Sequence, residues 1–118
     1  MTIVVIPSWA WTPVGPWGGV VHDLVNESAE SDTLFAATGN GIYQYPNEDP
    51  SSYLWDEFPS TLGMRVFEIV PDPANDRIFA IAVRSSDPFN FEEYLSPSGN
   101  LYMLKIVSDT WTDLSHLV

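Results

Sequence analysis

The chain has 118 residues, 45% hydrophobic and 14% aromatic, with 16 Asp and Glu against 4 Lys and Arg and a formal charge of -12. That length suits one folding unit with its own core, and the composition is far from the polar, aromatic-poor signature of disorder. The four scattered cations (Arg65, Arg77, Arg84, Lys105) cannot replace the counterions of a nucleic acid or hold an anionic membrane, so neither partner is expected, and the lack of cysteine excludes disulfides, thiolate metal sites and cysteine nucleophiles.

The first apolar run, IVVIP at 3–7, follows no basic segment and stops at Pro7. It is too short for a signal peptide or a membrane span, so the cytoplasm is the default expectation if the mature chain begins at Met1. WTPV at 11–14 and the glycine-rich GPWGG at 15–19 follow, then VVHDLV at 20–25 and TLFAATGNGIYQY at 33–45. The last stretch is two apolar runs around an Asn-Gly turn, a hairpin signature. WDEF at 55–58 closes the first half; RVFEIV at 65–70, RIFAIA at 77–82, NLYMLKI at 100–106 and WTDL at 111–114 make up the second. Turn-formers separate these runs, notably Pro-Asn-Glu-Asp-Pro at 46–50 and Asp-Pro-Ala-Asn-Asp at 72–76. No window has helical periodicity and there are ten prolines, so the chain is expected to be all-β with about ten strands.

These runs repeat. Val21 aligns with Val66, Leu24 with Ile69, Val25 with Val70, Leu34 with Ile78, Phe35 with Phe79 and Ala36 with Ala80. GIYQY then aligns with NLYMLKI, and WDEF with WTDL, with WTPV as an early third copy of the last element. Each full unit has four strands, and its second strand (LFAA, IFAI) is apolar at consecutive positions, the mark of a strand buried on both faces. Four-stranded repeats of this length fit propeller blades. The expected architecture is two four-stranded antiparallel propeller-like blades plus an N-terminal half blade: 1–15 the half, 16–59 the first blade, 60–118 the second.

The units resemble degenerate Asp-box, or BNR-type, repeats of sortilin-like and sialidase-like propellers. DTLFAATGNGIYQY (32–45) and SDTWTDL (108–114) carry the resemblance. The S-x-D-x-G-x-T-W signature of that family is not intact: Ile106, Pro50 and Ile6 stand five residues before Trp111, Trp55 and Trp11, and only Thr110-Trp111 agrees. Propellers typically use about 4 to 8 blades, so a homo-oligomer that completes a ring is expected. The alternatives are a piece of a longer protein and a small sandwich whose N-terminal hairpin, 2–14, covers the open side.

In an up-and-down sheet the turn between the second and third strands and the link to the next sheet lie at one end. The first unit has a minimal turn there, whereas the second inserts SSDPFNFEEYLSPSG at 85–99. Phe89, Phe91 and Tyr94 beside Glu92 and Glu93 suit a protein partner or a carbohydrate stacked on rings; packing against a blade end or a subunit is the alternative. Trp17, in the glycine-rich link at the same end, has no repeat counterpart and is the best single stacking candidate, with a wedge or an interface role as the alternative. Trp11, Trp55 and Trp111 recur and are expected to be structural wedges. His22 aligns with Phe67 and is expected in a core or half-buried position rather than as a ligand. Asp72, Asn75 and Asp76 lack calcium-loop spacing and read first as a solvated turn.

No cofactor and no catalysis are expected. The resemblance to sialidases would imply an arginine cluster, but Arg65, Arg77 and Arg84 occupy unmatched positions. Glu92 and Glu93 are adjacent and cannot straddle a sugar ring as glycosidase pairs do. No phosphate-binding loop and no nucleophile elbow occurs in the sequence. The expectation is a noncatalytic binding or scaffold module that self-associates, with a lectin of the same build or a sialidase-like fragment as alternatives.

Overall fold

The computed structural model describes residues 15–16, 19–46, 54–84 and 100–114. The expected half blade at 1–15 lies outside the described residues except for Gly15. Eight strands are described: β1 (Val21–Asn26), β2 (Leu34–Thr38), β3 (Gly41–Tyr45), β4 (Asp56–Glu57), β5 (Met64–Asp72), β6 (Arg77–Arg84), β7 (Asn100–Lys105) and β8 (Thr110–Asp113). Single 3-10 turns at Pro59–Thr61 and Pro73–Asn75 accompany them. The chain is all-β, and its strands form two four-stranded antiparallel meanders in the orders β1-β2-β3-β4 and β5-β6-β7-β8.

Strand register reproduces the repeat position by position. Leu24 pairs with Ala36 and Ala36 with Tyr43; in the second sheet Ile69 pairs with Ala80 and Ala80 with Tyr102. Tyr43 pairs with Glu57 as Tyr102 does with Asp113. Even the irregularity recurs: the ladder slips between Val21 and Asp23 and again between Val66 and Glu68. His22 and Phe67 are therefore the extra residues of two equivalent β-bulges, which bend the strand and increase its local twist. Their rings lie 5.3 Å apart, and of the two expected positions, core or half-buried, His22 takes the half-buried one.

The core forms where the first sheet packs on the second. Each sheet has two faces, since neighbouring side chains on a strand alternate. The first sheet presents Phe35, Ala37 and Ile42, with Phe58 just beyond β4 and Val25 packed against them. The second presents Val66, Ile69, Ile78, Ala80, Ala82, Tyr102 and Leu104, with Trp111 against them. Phe35, Ile42, Val66, Ile78 and Leu104 are fully buried, each contributing about 1.5–3 kcal/mol by removal from water. Trp111 stacks on Tyr102 with centroids 4.7 Å apart and an interplanar angle of 8°. Trp55, its counterpart, meets Tyr45 at 5.4 Å. Each tryptophan thus meets a tyrosine of its own four-stranded unit, and Trp111 also packs against the core.

The double-sided burial expected of each second strand holds for β2 alone. Phe35, Ala36, Ala37 and Thr38 have no exposed surface. In β6, Ile78, Ala80 and Ala82 are buried, while Phe79, Ile81 and Val83 are only half-buried. The face of the second sheet turned away from the first accounts for the difference.

Side chains also bridge the sheets. Asp23 Oδ2 accepts the Ile69 N–H at 3.1 Å. The Asp109 carboxylate, in the turn before β8, accepts the Ser60 hydroxyl at 2.6 Å and the Ser60 N–H at 3.2 Å. Asp109 adopts a left-handed φ of 50°, a conformation that Asp tolerates better than most side chains.

Candidate functional site

Connections at one end of the two sheets build the candidate site. Gly39 N–H donates to the Val20 carbonyl at 3.0 Å, tying the β2–β3 turn to the start of β1. Gly63 N–H donates to Asn40 Oδ1 at 2.7 Å, tying the same turn to the link that enters β5. Met64, the next residue, pairs with Arg84, and Ala82 pairs with Asn100. The strands that flank 15–19 and 85–99 therefore emerge at one end, as the alternation of strand directions required.

Buried hydroxyls hold this end together. Thr61 Oγ1 accepts the Ile42 N–H at 2.9 Å and donates to the Phe58 carbonyl at 2.7 Å. Thr38 Oγ1 accepts the Asn40 N–H at 3.1 Å and donates to the Gly41 carbonyl at 2.9 Å. Both threonines are fully buried, so these bonds satisfy groups that would otherwise be stranded away from water.

Beside the roots of the insertion, Val83, Arg84, Asn100, Tyr102 and Asp113 line a cleft of about 300 Å³. The volume suits a small polar ligand or one residue of a larger partner. Tyr102 supplies its floor and belongs to the core. Arg84 and Asn100 are exposed. The sequence signal for this cleft was indirect: Arg84 and Asn100 bound the insertion, but nothing local marked Asp113. The candidates Trp17, Phe89, Phe91, Glu92, Glu93 and Tyr94 lie outside the described residues; the structure places only their flanking strands.

Polar side chains at the far end close on one another. Asp72 accepts from Asn75 Nδ2 at 3.0 Å and from Arg77 Nε at 2.8 Å. Asp76 Oδ1 accepts the Val107 N–H at 3.1 Å, so the turn's oxygens serve internal donors. The bonds from Asn75 and Arg77 hold the Asp72 carboxyl below its ordinary pKa of 3.8. A depressed carboxylate stabilises the fold above its unfolded pKa and loses that contribution as pH falls through the folded value. The thermal midpoint of Asp72→Asn is therefore expected to fall less than that of the wild type as pH drops through and below 3.8; parallel curves in a melting series would contradict this. Elsewhere, burial and then the neighbouring Glu57 charge raise the Tyr43 phenol, keeping it neutral.

Arg77 and Arg84 stand at opposite ends of β6, and Arg65 pairs with Val83. Across seven residues a strand runs about 23 Å, so Arg77 does not converge with Arg84 on one carboxylate. Among the described residues no group of three His, Cys, Asp or Glu is placed to hold a metal ion. Comparison of the chain with protein-family models, curated proteins and solved structures finds no match in any of the three.

Proposed function

We propose that the chain is a noncatalytic binding or scaffold module whose two sheets act as propeller-like blades and which self-associates to complete a ring. One observation carries this reading: the outward face of the second sheet is apolar and incompletely covered. Val70 is 58% exposed, and Phe79, Ile81, Leu101 and Met103 beside it are only half-buried. Phe35, Ala37 and Ile42, which the repeat aligns with Phe79, Ile81 and Leu101, are fully buried. Glu68, Val70, Phe79, Ile81 and Leu101 surround a shallow hollow of about 190 Å³. An apolar face of this kind marks an interaction surface.

Light scattering is expected to give a multiple of the 13.2 kDa chain mass. A well-folded particle of that single mass overturns the reading. Copies that each carry a charge of -12 repel one another, and an apolar contact gains as salt screens that repulsion. Raising NaCl from about 0.05 to about 0.5 M, over which the Debye length falls from roughly 14 to roughly 4 Å, is expected to tighten association in sedimentation velocity. Weaker association in high salt would indicate a contact built on ion pairs.

A carbohydrate-binding form of the same build is favoured by the cleft at Arg84, Asn100 and Asp113, at the end from which 15–19 and 85–99 emerge. Binding on a glycan array that Trp17→Ala abolishes would support it; an unaltered profile would remove Trp17 from the site.

A further inference from the structure

We propose that the outward face of the second sheet is occupied by the exposed outward strip of β1 of a second copy, the two paired by repeat position as Val25 and Ile69 are brought together within one chain. The inference rests on the self-association proposed above and specifies its surfaces.

Repeat positions supply the argument. Val25 on the first sheet and Ile69 on the second lie on the faces that meet, and Ile69 is 3% exposed. Their counterparts, Val70 and Leu24, lie on the two outward faces and are 58% and 55% exposed. The residues left bare are therefore a second set of those that pack inside. Farther out on the first sheet's outward face, Ala36 and Tyr43 are already buried, so the second copy seats on the strip formed by Val21 and Leu24, both exposed.

Polar groups follow the same correspondence. Within the chain Asp23 accepts the Ile69 N–H. Its counterpart Glu68 is exposed, and the counterpart of the Ile69 N–H is that of Leu24, which the same register turns away from β2. Glu68 of one copy is thus assigned to the Leu24 N–H of the next, and Phe67 of one copy to His22 of the next, as Phe67 meets His22 within the chain. Unlike surfaces joined in this way form a head-to-tail contact that propagates until it closes on itself.

The test uses Val70→Asp and Leu24→Asp, both at exposed positions, with circular dichroism to check that each variant folds. Each alone is expected to sediment as a monomer. An equimolar mixture retains one intact pairing, the Val70 face of one variant on the Leu24 face of the other, and is expected to give a dimer and nothing larger. Glu68→Ala is expected to weaken wild-type association roughly tenfold through the lost charged hydrogen bond. A monomeric wild type overturns both this inference and the self-association on which it rests. A wild-type oligomer that survives either substitution, or variants that fail to combine, overturns the pairing alone and leaves self-association standing. A monomeric wild type that associates once 85–99 is deleted would make the chain's own insertion the occupant and overturn the pairing.

Discussion

Phe35→Ala is expected to lower stability by about 3–5 kcal/mol, whereas the same change at its repeat counterpart Phe79 costs the isolated chain about 1–2 kcal/mol. Phe35 has no exposed surface, sits among Ala37, Ile42 and residues of the second sheet, and meets Phe58 with ring centroids 6.3 Å apart. Its removal leaves a cavity that two sheets already in register cannot close. Phe79 is half-buried on the outward face of the second sheet, with the Arg77 guanidinium 4.8 Å from its ring centroid. Truncating it in a single chain forfeits only the covered part of the ring and its contact with Arg77. Chemical denaturation at concentrations low enough to dissociate any assembly measures the difference, and equal losses at the two positions would mean that the outward face is covered within one chain.

A second large effect is expected at Gly41, which opens β3 with φ 98°. That backbone angle is unfavourable for any L side chain. A Cβ there would also lie 2.8 Å from Thr61 Oγ1 and 3.1 Å from the Thr61 carbonyl oxygen. Gly41→Ala must therefore carry backbone strain of about 1–3 kcal/mol and displace the hydroxyl that receives the Ile42 N–H, for a total of about 3 kcal/mol or more. Thr61→Val separates the two contributions: it keeps the shape and deletes the hydroxyl, stranding the Ile42 N–H at about 1–3 kcal/mol. Thermal melts should rank Gly41→Ala below Thr61→Val, with both below the wild type. The opposite order would show that the hydrogen bond outweighs the backbone strain.

Much of the fold was legible because the repeat is written in apolar positions. Leu24, Val25, Leu34, Phe35 and Ala36 match their counterparts, and the observed register equates the same pairs. Grouping the strands by fours was legible for the same reason. The bulges at His22 and Phe67 were not, since a bulge is a mismatch between two strands and leaves no mark on either one alone. One-sided burial of β6 was equally hidden: RIFAIA has the same apolar run whether or not a neighbour covers its second face. The links from Asp23 to Ile69 and from Asp109 to Ser60 join residues 46 and 49 positions apart, which no local pattern encodes. Of the candidate site, strand alternation fixed the end of the sheets but gave no part in it to Asp113.

The β2–β3 and β6–β7 hairpins share one register although a two-residue turn joins the first and 85–99 interrupts the second. Thr38 meets Gly41 as Ala82 meets Asn100, and Ala36 meets Tyr43 as Ala80 meets Tyr102. Pairing is therefore fixed by the side chains along the strands, and the connecting segment is relieved of any part in specifying it. Mutation and selection can rewrite the composition and length of such a segment without renegotiating the architecture beneath it, as with interchangeable loops on a constant frame. The first hairpin has no such latitude, because Asn40 and Gly41 are bonded or fitted to the link that follows. The same repeat thus carries one hairpin that is conservative by construction and one that is open to innovation.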